Sequence, residues 1–132
     1  MGIKDWLKGV TKAKVQPLHV TDGNFADVIE KSDLPVLLDV WGPNCSWCTK
    51  LMPTIVDLAT KYDGVLRVAD LNAAEAPKAA GKLGVRGTPT VLLMRKGKIV
   101  ERVVGFKPQI FFEQAMTVKF PEIYEDDASA HA

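Results

Sequence analysis

Cysteine is nearly missing from this chain: there are 2 in 132 residues. Two thiols cannot build a disulfide framework, so a cystine-stapled miniprotein is excluded. Both sit in one Cys-x-x-Cys, at Cys45 and Cys48. A bond between them would close a loop too short to restrict the unfolded chain, and would stabilise little. Histidine is equally scarce, at His19 and His131. Tetrahedral zinc normally takes four N or S ligands. No carboxylate has ligand-like spacing to the thiols, so no metal and no other cofactor is expected. A half-site shared between chains stays as the rival reading of the pair.

Neither sign of charge dominates. The 17 Lys and Arg stand against 16 Asp and Glu, a formal net charge of +1. That balance gives no global attraction for nucleic acid, and no nucleic-acid partner is expected. No apolar run is long enough to span a bilayer. The opening MGIKDWLKGVTKAKVQ is interrupted by Lys4, Asp5, Lys8, Lys12 and Lys14 and lacks the apolar segment of a secretory signal. A cytoplasmic location is the expectation. Position 6 is Trp6, so the N-myristoylation pattern after Gly2 fails.

What the chain does have is apolar residues, 47% of the total. That is enough for one domain with a core of its own. Within residues 1–14, Ile3, Trp6, Leu7 and Val10 fall on one helical face, with Lys4, Lys8 and Lys12 on another. They read as an extra amphipathic helix docked on the domain or a neighbour. A membrane-surface helix is the alternative, but no membrane contact is expected. A short strand is expected in 15–20, then a helix through NFADVIEKS capped by Thr21 or Asp22. The apolar run PVLLDVW (35–41) reads as a strand covered on both faces. A helix follows over about 45–62, kinked at Pro53. Residues 65–71 read as a strand and 73–84 as an alanine-rich helix. Residues 90–105 form a hairpin around Lys96-Gly97, and 107–120 a last helix started by Pro108. The tail 121–132 is acidic and expected to fray. The order β-α-β-α-β-α-β-β-α belongs to the α/β class: a parallel sheet between helices, extended by an antiparallel hairpin.

Cys45 falls where a strand hands over to a helix. Free N–H groups and a partial positive charge at a helix start stabilise a thiolate and make the first cysteine the nucleophile. Cys48 lies one turn on, close enough to resolve a mixed disulfide. Asp39 interrupts an apolar strand six residues before Cys45. A carboxyl buried there has its pKa raised and could take the Cys48 proton. The competing reading is an aspartate turned to a polar edge, and the sequence does not separate the two. Pro89, after Gly87-Thr88, heads a strand; on propensity alone its bond is expected to be trans.

Taken together, HVTDGNF, VLLDVWGPNCSWCTKLMP and GVRGTPTVLLMRKGKIVERVVG resemble the thioredoxin family over about residues 15–120. The resemblance implies a thioredoxin fold and a protein-disulfide reductase. Cys45 would attack, Cys48 would resolve and form a disulfide with it, and Asp39 would accept the proton. Thr88-Pro89 would be a cis-proline loop pairing with an extended substrate, with Trp41, Gly87 and Gly105 lining the docking surface. Partners would be protein disulfides and a thioredoxin-reductase-type donor, and the protein would be a monomer. Departures stand beside these likenesses. Ser46-Trp47 replaces the usual Gly-Pro between the cysteines. Asn44 stands where a tryptophan is usual, and Asp70 where a lysine is usual near the buried acid. Two carboxylates near each other would raise one pKa further. Ser46 could hydrogen-bond the Cys45 thiolate. Trp47 could alter partner choice as part of the substrate surface, or only pack locally. Two rivals remain on this reading: a dedicated oxidase or isomerase, and an interaction module that uses the fold as a platform.

Overall fold

A computed structural model describes residues 13–125. The expected helix over 1–14 lies almost wholly outside the described residues, as does most of the tail. Five strands form one sheet: β1 (Leu18–Val20), β2 (Val36–Trp41), β3 (Arg67–Asn72), β4 (Thr90–Arg95) and β5 (Lys98–Val104). The spatial order is β1-β3-β2-β4-β5. β1, β3 and β2 run parallel; β4 and β5 are antiparallel additions. Three helices flank the sheet: α1 (Ser46–Lys61), α2 (Pro77–Lys82) and α3 (Gln109–Lys119). The mixed α/β architecture and its element order agree with the expectation.

β2 is central and lies between β3 and β4 along most of its length. Strand side chains alternate faces, so Val36, Leu38 and Val40 face one way and Leu37 and Asp39 the other. The first set packs with Leu71, Leu92 and Met94 beneath α2. On the opposite face Leu37, Val91 and Leu93 pack with Leu51, Ile55 and Leu58 of α1 and Phe112 and Met116 of α3. Leu51, Ile55 and Leu58 are fully buried; each such burial contributes about 1.5–3 kcal/mol. α1 runs through Pro53 without ending. Its C-terminal end is tied to α3, where Glu113 accepts from Tyr62 Oη and from Lys61 Nζ. Among the described residues no helix is long and apolar enough to cross a membrane.

Two boundaries differ from the sequence expectation. The first helix is a single wide turn, Ala26–Glu30, of π type. Thr21 does not cap it: the N-cap is Phe25, with no side-chain cap hydrogen bond, and Thr21 Oγ1 accepts from Asn24 N–H while Asn24 Oδ1 accepts from Thr21 N–H in the turn that precedes it. Asp22 caps a different helix. Its carboxylate accepts from Lys78 N–H and Ala79 N–H, at the start of α2, 2.8 Å to the latter. The N-cap residue there, Ala76, has no side-chain oxygen, so the acceptor comes from a loop far away in sequence. Residues 121–124, expected to fray, form a turn of 3₁₀ helix in which Ile123 is buried and Tyr124 meets Tyr62 edge-on. The hairpin is as expected: Lys96 (φ 51°) and Gly97 (φ 79°) both take left-handed backbone, the twist that joins two adjacent strands.

Candidate active site

The sequence VLLDVWGPNCSWC turns from strand to helix between Trp41 and Ser46. Asn44 adopts a positive φ of 57°, which its short polar side chain tolerates. Cys45 is the N-cap of α1, and its Sγ accepts from Cys48 N–H at 3.2 Å. The thiol side chain thus occupies the place an Asp or Ser takes at other helix starts, aimed at unpaired N–H groups. Cys45 and Cys48 form a disulfide with their Cα atoms 5.3 Å apart. The two sulfurs are not equivalent. Cys45 is partly exposed, while Cys48 is only 4% exposed.

Around the pair the surface is concave and apolar. A cavity of about 640 Å³ runs past Trp41, Pro43, Cys45, Cys48 and Met52. A second, of about 320 Å³, is lined by Trp47, Thr88, Pro89, Gly105 and Phe106. The Thr88–Pro89 bond is cis. The trans expectation from propensity is therefore corrected; the intrinsic preference at X–Pro is small and tertiary context outweighs it. Thr90 Oγ1 donates to the Gly87 carbonyl at 2.6 Å and Gly105 N–H to that of Pro89 at 2.8 Å, which fixes the loop from both sides. Gly42 is where the two loops meet, since a methyl there would lie 3.4 Å from Thr88 Oγ1. Of the residues expected to form the substrate surface, Gly87 alone lines neither cavity. Trp47 is 54% exposed and leans on Phe106, with ring centroids 5.4 Å apart, while Lys50 Nζ sits 4.5 Å from its ring centre. Phe106 was not anticipated.

Asp39 lies below, with 0% exposure. Among the described residues neither of its oxygens finds a hydrogen-bond partner. Burial away from water, reinforced by the charge of Asp70, pushes its pKa up to about 7. The polar-edge alternative is thus removed, and the expected pair of acids is present: Asp39 and Asp70 are register partners on β2 and β3. Asp70 is tied outward. Its Oδ1 accepts from Trp41 Nε1 at 2.8 Å and lies 2.9 Å from His19 Nδ1. Sequence reasoning did not find His19, because the register that brings it to Asp70 joins strands 51 residues apart.

The family model described as Thioredoxin matches residues 16–117. This chain belongs to the thioredoxin family. It is 35% identical to Thioredoxin 1 of Nostoc sp. over 74% of its own length and 92% of that protein. It is 43% identical to the thioredoxin of Chlorobaculum thiosulfatiphilum, over 69% and 84% respectively. A chloroplastic M-type thioredoxin of Chlamydomonas reinhardtii is 33% identical over 74% and 69%. As a thioredoxin-family protein this chain is a thiol–disulfide oxidoreductase, and Cys45–Cys48 is its redox-active disulfide.

Proposed function

We propose that this thioredoxin-family protein reduces protein disulfides, with Cys45 attacking and Cys48 resolving. The observation that carries the assignment is the asymmetry of the pair: one sulfur open at a helix start, the other buried behind it. The Cys45 thiolate attacks one sulfur of the substrate disulfide. A Cys45–substrate bond forms, the substrate S–S bond breaks, and the departing thiolate takes a proton from water. Cys48 then gives its proton to the Asp39 carboxylate and attacks Cys45 Sγ. The Cys45–Cys48 bond forms and the second substrate thiolate leaves. Two electrons have passed to the substrate. A thioredoxin-reductase-type donor returns them, and the protein works as a monomer in a reducing compartment such as the cytoplasm.

The substrate is taken as an extended segment that pairs with the backbone of Thr88, a form of strand addition. Trp41, Trp47, Pro89 and Gly105 contribute apolar surface on either side of Cys45, and the Gly87 carbonyl holds the loop through Thr90. The reading is tested by insulin-disulfide reduction with NADPH and thioredoxin reductase, comparing the parent with Cys45→Ser. Turnover falls to background in the variant. Parental turnover in Cys45→Ser refutes the assignment. A reduction potential near about −120 mV, in place of one near about −270 mV, would reverse the direction of exchange.

A further inference from the structure

Behind the reactive pair, three parallel strands carry a row of ionisable groups. In register, His19 on β1 faces Asp70 on β3, and Asp70 faces Asp39 on β2. His19 Nδ1 lies 2.9 Å from Asp70 Oδ1, and Nε2 lies 2.8 Å from Glu75 Oε1. A neutral imidazole has one N–H, so a ring with a carboxylate at each nitrogen is matched by the imidazolium. Hydrogen bonding to Asp70, then to Glu75, raises the His19 pKa above its ordinary value. Two carboxyls on neighbouring strands share charge at a cost, and one of them keeps its proton to higher pH. Donors decide which. Asp70 receives Trp41 Nε1 and His19, whereas Asp39 receives none among the described residues. Asp39 is therefore the carboxyl that keeps its proton to higher pH. Beside this row stand Glu75, from the loop after β3, and Val91, the uncharged register partner of Asp39 on β4. Among the described residues His19 is the cation paired with Asp70, and no cation is paired with Asp39.

We propose that His19 is a positioning residue of the redox centre: an imidazolium clamped by Asp70 and Glu75, it is the counter-cation of the Asp39–Asp70 pair and sets the pH range over which Asp39 exchanges its proton. Its consequence for catalysis rests on Asp39 being the proton acceptor for Cys48. Without the cation, the Asp70 charge is unopposed and Asp39 holds its proton to higher pH. His19 and Asp39 are two strand spacings apart, about 10 Å. A unit charge at that distance moves the Asp39 midpoint by about 0.5–1 pH unit.

The test is a ¹³C NMR titration of the Asp39 carboxyl in the full chain, in the parent, His19→Gln and His19→Lys. His19→Gln raises the midpoint by about half a pH unit or more, and His19→Lys, a cation throughout, brings it back. An unmoved or lowered midpoint in His19→Gln overturns the proposal. If His19→Gln does not fold, His19→Asn, which removes the same cation and leaves every carboxylate in place, replaces it, and the Asp39 midpoint rises. Its failure to rise overturns the proposal equally. Failure of the acceptor role shows elsewhere, as an unchanged rate of resolution in Asp39→Asn while the Asp39 midpoint still responds to His19.

Discussion

Replacing Asp39 by Asn should stabilise the oxidised protein, and increasingly so as pH rises. The folded chain holds this carboxyl with no exposure and no hydrogen-bond partner among the described residues. Its pKa is raised from 3.8 to about 7, first by burial and then by Asp70. Between those values the native state keeps a proton that the unfolded state has released. Stability conferred by that proton is full below about pH 4 and declines as pH climbs toward 7, the reverse of a salt-bridged aspartate. A rise of that size amounts to about 4 kcal/mol once both states are ionised. The carboxamide of the variant is neutral and nearly isosteric, so it carries no such decline. Urea unfolding at pH 4 should separate the two proteins by under about 1 kcal/mol, and at pH 8.5 by up to about 4 kcal/mol in favour of the variant. A gap that is equal at both pH values would refute the reasoning, because it would place Asp39 in contact with water or a partner. The same substitution removes the proposed acceptor, so resolution by Cys48 slows while the fold becomes more robust. Stability and activity move in opposite directions at one side chain.

Cys48→Ser leaves the attacking thiol in place and removes the resolving one, so substrates accumulate as mixed disulfides on Cys45, read as thiol-sensitive bands on non-reducing gels. Trp47→Ala deletes the exposed half of the Trp47–Phe106 contact. Loss of an aromatic contact with the substrate worth about 1 kcal/mol corresponds to about a fivefold rise in KM for substrates with apolar flanking residues, with kcat unchanged. Asp22→Ala strips two N–H groups of α2 of their acceptor; it should cost about 1 kcal/mol in thermal or urea unfolding and leave turnover unaltered.

How much was legible follows from the range of the interactions. Local chemistry was readable. The apolar run 35–41 had to be a covered strand, Cys45 had to fall at a helix start, and Lys96-Gly97 had to turn. Asp39 was visible as a misplaced charge, and so was the substitution of Asp70 for a cation. Which way Asp39 pointed was not, because strand alternation names two faces without saying which meets water. His19 stood out in the sequence only as a metal ligand to be weighed; its true neighbours depend on the register of β1 against β3, which no local pattern encodes. Asp22, offered by the sequence with Thr21 as a cap for the helix next to it, caps one more than fifty residues on. Phe106 follows the closing Gly105 directly, and its place beside Trp47 required β5 to bring that loop back to the start of α1.

The two margins of the sheet have a consequence for how the protein behaves in a crowd. β1 is three residues long and comes directly after Pro17, which has no N–H to offer a neighbour. β5, on the other margin, carries Lys98, Glu101 and Arg102, and its ladder with β4 is interrupted between Leu93 and Met94. Neither edge is a good template for a stranger's backbone. For a chain that takes extended disulfide substrates beside Thr88, as proposed, that protection confines the encounter to the disulfide and keeps the substrate's backbone out of the sheet margins.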